Sequence, residues 1–225
     1  MLSGASAQEP KLETDLDKAS YLIGRNIGGT IKEDEIELNI DNLLAGLREG
    51  LAGKKSKIAK EDEEKIMNAF QKEMQEKVAA KANVAGQKNA DDGAKYLVEN
   101  AKRKAVKVTE SGLQYEVLKT GKGAKPAASD TVSVHYHGTL IDETVFDSSV
   151  ERKEPATFPV SGVIAGWTEA LQLMQAGSKW KLFIPSKLAY GAQGAGRDIG
   201  PNSTLIFEVE LLSIAPKDAE PKLIK

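Results

Sequence analysis

The sequence predicts an α+β protein. An all-α N-terminal dimerisation module with a long stalk helix is followed by a curled antiparallel β-sheet wrapped around one short α-helix. Three observations predict it. No proline occurs between Pro10 and Pro126, while seven follow, and proline is excluded from helix interiors but tolerated in turns and at strand edges. Of twelve aromatic residues, only Tyr21, Phe70 and Tyr96 precede residue 110. From about Ser111 the hydrophobic period changes from helical to alternating.

Three helices are expected in the first half. Thr14-x-x-Asp17 resembles a capping box with aspartate in place of the usual glutamate. Leu16, Ala19, Ile23 and Ile27 then recur at helical spacing, and Gly28-Gly29 offers a stop. In NIDNLLAGLREGLAGKK, Ile40, Leu43, Leu44, Leu47 and Leu51 share one face, with Gly53 placed as a C′ residue. The third helix is expected from about Lys60 to about Lys107, with Met67, Phe70, Met74 and Val78 at spacings of three or four. Gly86 and Gly93 could interrupt it at about 1 kcal/mol each against alanine. Its second part has a thin apolar stripe (Ala85, Leu97, Ala101, Ala105) and reads as a solvated stalk, with the basic stretch KRKAVK as a solvated helix end.

About 80 residues with one phenylalanine and one tyrosine supply little core, and oligomerisation is the usual remedy. The expectation is a homodimer that buries Leu16, Ile23, Ile27, Leu44, Leu47, Met67, Phe70 and Met74 against a second copy. Packing of these helices on the second domain is the competing arrangement.

In the second half, strands are expected at 114–119, 130–140, 144–148, 178–185 and 204–214. Between the third and fourth lies VIAGWTEALQLM, with Trp167, Leu171 and Met174 on one helical face. An antiparallel sheet curled around that helix is the economical solution. The domain limits are then 1–12 for a flexible N-terminus, 13–82 for the helical module, 83–110 for the rest of the long helix and linker, 111–215 for the β-rich domain and 216–225 for a flexible tail.

The bulk composition excludes several functions. Charges nearly balance, 31 basic against 33 acidic, so no electrostatic footprint points to nucleic acid. There is no cysteine, which excludes disulfides, thiolate metal sites and cysteine nucleophiles. No apolar run approaches the roughly 18 residues of a membrane span. Ala5-Ser6-Ala7 before Gln8 fits the small-residue rule for signal cleavage, although no apolar h-region precedes it. A periplasmic or outer-membrane-associated location is expected on the export reading, a cytoplasmic one on the alternative.

The chain's only histidines, His135 and His137, flank Tyr136 in VSVHYHG. Strand alternation puts Val132, Val134 and Tyr136 on the buried side and both histidines outward. Two imidazoles fall short of the three or four protein ligands of a zinc site, so no metal is expected and the histidines read as solvated. No nucleophile-elbow, phosphate-loop or dinucleotide motif occurs, and no cofactor is expected. The glycine cluster GAQGAGRDIG precedes a proline and a strand rather than a helix, and reads as a mobile loop. What remains is an apolar set (Tyr136, Phe146, Val163, Ile164, Trp167, Phe207) together with Tyr190 in a loop and Asp147 beside Phe146. Such a set suits an apolar ligand pocket with few polar anchors.

VHYHGTLIDETVFDSS, ATFPVSGVIAGWTEALQLM, GSKWKLFIPSKLAYG and GPNSTLIFEVELL, in this order and spacing, resemble the FKBP-type peptidyl-prolyl cis-trans isomerase domain over residues 111–215. DKASYLIGRNIG and FQKEMQEK resemble the N-terminal helices of the macrophage infectivity potentiator (Mip) group within that family. The resemblance implies an FKBP fold, acceleration of X–Pro bond rotation in folding proteins, dimer-assisted chaperone activity, V-shaped intertwined homodimers, and binding of the macrolides tacrolimus and rapamycin. It assigns catalytic positions to Tyr136, Asp147 and Tyr190, and substrate contacts to Phe146, Arg152, Val163, Ile164, Trp167, Ile199 and Phe207. Arg152 falls where the family often pairs an arginine with the aspartate. The indole of Trp167 is the family's pocket floor, and the Ile164 N–H and Tyr190 hydroxyl are its two ligand hydrogen bonds. Ala156 stands where many members have a pocket phenylalanine, which implies a shallower wall there. A holdase in which isomerisation is incidental is the alternative function.

Overall fold

A computed structural model describes residues 9–215. The Ala5-Ser6-Ala7 signal and the expected tail at 216–225 lie outside these residues. The chain divides into two compact units, split after Lys77.

The first unit holds α1 (Asp15–Glu33), α2 (Ile40–Leu51) and the start of α3 (Lys60–Asn100). The capping box forms as expected, with the Thr14 hydroxyl accepting from the Asp17 N–H and the Asp17 carboxylate accepting from the Thr14 N–H. Gly28-Gly29 does not stop α1, which continues to Glu33. Gly53, just beyond α2, adopts φ +64°, the left-handed conformation that closes a helix C-terminus. No residue of α1 or α2 is buried. Leu16, Ile23, Ile27, Leu44, Leu47 and Met67 are exposed, while Phe70 and Met74 are half-buried.

The second unit is built on a seven-stranded antiparallel sheet. Its strands are β1 (Val106–Val108), β2 (Gln114–Lys119), β3 (Thr131–Thr139), β4 (Val145–Ser148), β5 (Ala156–Pro159), β6 (Lys179–Ile184) and β7 (Leu205–Ala215). They lie in the order β1-β2-β6-β7-β3-β4, with β5 also pairing β3. The sheet is open. The nine-residue helix α4 (Ala165–Leu173) buries Gly166, Trp167, Ala170 and Leu171, and Met174 just beyond it is fully buried. The long β7 runs between β3 and β6 and supplies Leu205, Phe207, Val209 and Leu211 to the core.

The largest departure from the sequence expectation is in α3. It ends at Asn100 rather than near Lys107, because Val106–Val108 leave the helix to pair with β2. It is unbroken at Gly86 and Gly93, and both glycines are buried, as is Asn100. The part read as a solvated stalk is packed instead. Tyr96 and Leu97 lie against Phe183, Val106 and Ile206, and the Asn100 amide donates to the Gln114 side chain at 2.8 Å. Of the expected stripe only Leu97 makes such contact, since Ala85, Ala101 and Ala105 are exposed.

Candidate active site

Strand β3 sets the site's first member. Its burial alternates strictly along residues 131–139, and Tyr136 is 5% exposed, turned inward as strand alternation requires. The two histidines do not stand free in solvent. Each is half-buried, His135 Nδ1 lying 3.1 Å from the Ser149 hydroxyl and His137 Nδ1 3.0 Å from that of Ser148. They bind the far side of the strand to the FDSS turn.

Opposite β3, the β4 strand carries Phe146 and Asp147. Phe146 meets Phe207 of β7 edge-on, with ring centroids 5.4 Å apart. Gly138 permits this, because a Cβ there would lie 2.8 Å from atoms of both rings. Gly138→Ala is therefore expected to push the two rings apart and to cost about 1–3 kcal/mol by overpacking. Thermal unfolding would read the loss, and an unchanged midpoint would show that the rings adjust freely.

The floor is the Trp167 indole on α4. Tyr136 and Phe207 contact it nearly perpendicularly, at centroid distances of 5.4 and 5.2 Å, a geometry that aromatic quadrupoles favour. Its Nε1 is buried without a hydrogen-bond partner among the described residues. An unpaired buried donor costs about 1–3 kcal/mol, and such local violations concentrate at functional sites. Val163 and Ile164 lie at the start of α4, where the Ile164 carbonyl accepts from the N–H groups of Trp167 and Thr168.

Three polar side chains lining the cavity are joined to one another. The Tyr136 hydroxyl donates to Asp147 Oδ2 at 2.5 Å. Arg152 donates from Nη1 to Asp147 Oδ1 and from Nη2 to the Tyr136 oxygen, the latter at 2.8 Å. The Asp147 side chain is 43% exposed. Burial pushes the Tyr136 phenol up to about 12, helped by its bond to Asp147 and opposed by the one to Arg152. Tyr190 is raised as well, by burial and then by the charge of Asp147, and the two residues line the same cavity.

The glycine-rich segment is a closed turn. Ala195 and Ile199 exchange two backbone hydrogen bonds, at 2.8 and 3.1 Å, and Ile199 is 8% exposed. All ten residues assigned catalytic or substrate roles by resemblance line one cavity of about 910 Å³. Phe158 lines it too and was not singled out. It shares a face of β5 with buried Ala156, two residues away, and stands edge-on to Trp167 at 6.0 Å. Four residues are too few for alternation to give that signal, and Phe158 supplies a ring at the wall where Ala156 has none.

An aromatic cavity closed at one rim by a tyrosine–aspartate–arginine trio, on an open antiparallel sheet curled over a short helix, is the architecture of an FKBP-type domain. The family model described as FKBP-type peptidyl-prolyl cis-trans isomerase matches residues 122–212. The domain amino-terminal to such isomerases matches residues 16–117. The chain is 45% identical over 210 residues to the outer membrane protein MIP of Legionella longbeachae, covering 93% of this chain and 90% of that one. It is 50% identical over 206 residues to the FKBP-type 22 kDa peptidyl-prolyl cis-trans isomerase of Escherichia coli K12, covering 91% and 98%. The crystal structure of FkpA from Escherichia coli superposes with a TM-score of 0.70 at 41% identity, covering 92% of this chain and all of that one. The chain belongs to the FKBP-type peptidyl-prolyl cis-trans isomerases of the Mip and FkpA kind, and it is an enzyme.

Proposed function

We propose that the cavity is the isomerase site and that the protein works on X–Pro bonds of unfolded and folding proteins as a homodimer. The observation that carries the site assignment is the convergence of the ten residues on one largely apolar cavity, among them the bonded trio Tyr136, Asp147 and Arg152. The barrier to peptide rotation is about 18–20 kcal/mol and comes from amide resonance. Unaided, an X–Pro bond turns over in tens to hundreds of seconds. At the twisted transition state the amide has lost resonance and its carbonyl is less polar, so an apolar cavity favours it over the solvated planar form. Only that difference accelerates the reaction.

In this reading Trp167, Phe146, Val163 and Phe207 hold the proline ring, with Phe158 closing the wall. Tyr190 and the Ile164 N–H orient flanking carbonyls. Asp147 keeps Tyr136 and Arg152 in place, a role its exposure and its two bonds support. The same cavity would accept the macrolides tacrolimus and rapamycin. The unburied faces of α1 and α2 support dimerisation through the N-terminal helices. The name of the Legionella relative supports a location in the cell envelope.

Two assays test the function. A protease-coupled assay on a proline tetrapeptide should give equal kcat/KM per chain for the full protein and for residues 78–225. Refolding of a proline-limited client should be faster with the full protein. A fragment cut at 111 would lose β1 and the docked end of α3, so the cut belongs at Val78. Equal client refolding by both would remove any part for the helical unit and leave the isomerase domain alone.

A further inference from the structure

Three residues of α3 are buried in the second unit, at intervals of seven: Gly86, Gly93 and Asn100. Two helical turns per seven residues put them on one face. The two glycines leave no side chain on that face at their positions, which lets the helix backbone approach the Pro201 and Thr204 side chains. A Cβ on Gly86 would lie 3.1 Å from Pro201 Cβ, and one on Gly93 only 2.3 Å from the Thr204 hydroxyl. Between the glycines, Asn89 donates from Nδ2 to the Pro201 carbonyl at 2.9 Å and lies 3.4 Å from the Ser203 hydroxyl. Asn202 replies by donating to the Gly86 carbonyl at 3.2 Å.

The strap at 201–204 is tied on its other side to the cavity wall. The Asn202 N–H donates to the Gly191 carbonyl at 2.8 Å. Gly191 opens the turn that the Ala195–Ile199 bridge closes, and Ala195, Gly196, Asp198 and Ile199 line the cavity. Asn202 holds φ +56°, in the left-handed region that asparagine visits more readily than most residues, with its N–H and its side-chain amide engaged on opposite sides.

We propose that residues 86–93 of α3 form a positioning element of the isomerase site, and that Asn89 is the residue through which the helix holds the 191–199 wall. This rests on the reading of the cavity as the isomerase site. The helix, which joins the domain to everything N-terminal of it, thereby sets the shape of one side of the pocket.

The test is Asn89→Ala in the full-length protein, with Lys88→Ala as control. Lys88 is the preceding residue on the exposed side of the same helix and pairs with Asp92. Hydrogen exchange at the Ala195 and Ile199 amides should accelerate about tenfold in Asn89→Ala, while the Val134 and Val209 amides in the sheet keep their protection. The kcat/KM on a proline tetrapeptide should fall about tenfold, the scale of effect that a slightly misplaced wall produces. Lys88→Ala should change neither. Unchanged exchange at Ala195 and Ile199, or an equal change in Lys88→Ala, overturns the positioning element. Faster exchange with undiminished kcat/KM overturns instead the reading of the 191–199 wall as part of the working site, and the proposal with it.

Discussion

Asp147→Ala is expected to lower kcat/KM on a proline tetrapeptide by about tenfold to a hundredfold, about 1.4–2.7 kcal/mol of transition-state stabilisation, while the domain stays folded. The carboxylate is 43% exposed, so removing it leaves no cavity in the core. What it leaves is a phenol and a guanidinium without their shared acceptor, on the rim where the substrate would lie. The Arg152–Tyr136 bond at 2.8 Å survives and the packed Tyr136 ring stays in place, but the phenolic proton and the guanidinium lose the acceptor that orients them. A titration separates this local effect from a general loosening. The Tyr136 phenol ionises at about 12 in the folded protein, against about 10 for an unperturbed tyrosine. The Asp147 bond raises it and the Arg152 bond lowers it. In Asp147→Ala the phenol should therefore titrate at lower pH, as read by ultraviolet absorbance of tyrosinate. The sign for stability follows from linkage. The folded state favours the neutral phenol, so its contribution is whole below about pH 10 and is lost as pH rises from about 10 to about 12. In the variant that loss should occupy a narrower window. Wild-type rates together with an unmoved phenol would sink the assignment of the trio.

The contrast between Tyr136 and α3 shows which features a sequence exposes. Tyr136 was legible because strand alternation is strict over nine residues and one face is all apolar; geometry alone turned it inward. Trp167, Leu171 and Met174 were legible for the same reason at helical period. The docked face of α3 was legible only at Leu97, because most of its other contacts are made by Gly86, Gly93, Asn89 and Asn100, and glycine and asparagine read as solvent rather than as a packed face. Close backbone approach needs the absence of a side chain, and absence reads as solvent. The strands β1 and β5 have three and four residues, too few for alternation to register, and Phe158 was lost with β5. The histidines were read as solvated because their serine partners, only 11 and 14 residues away in sequence, are brought to them by the β3–β4 hairpin rather than by any local spacing. The roles of Arg152 and Ile199 came from resemblance alone, since no periodicity in the sequence draws either to the pocket.

The second large effect concerns the helical unit. Ile23→Asp combined with Leu47→Asp is expected to convert a dimer, sedimenting at twice the chain mass, into monomers. Both side chains are well exposed, at 60% and 57%, on helices that bury no residue within one chain. A folded unit with no buried helical residue in α1 or α2 has no core of its own there, and only a second apolar surface can supply it. Burying such a side chain is worth about 1.5–3 kcal/mol. Two positions in each of two chains make four, and about three-fifths of each is left to bury, so losing that burial alone removes about 5 kcal/mol and weakens association by a few thousandfold. Placing a carboxylate in the interface adds a desolvation cost. The rim trio and the 191–199 wall lie in the other unit, so kcat/KM on a tetrapeptide should be unaffected, while client refolding should fall to the rate given by residues 78–225. Helical content should drop in the variant, because isolated helices of this length are marginal in water. A wild-type protein that sediments as a folded monomer at about 100 μM, well above the micromolar range that marks a modest protein affinity of about −8 kcal/mol, would show that these faces have no self-partner, and the dimer reading would fail while the isomerase site stood.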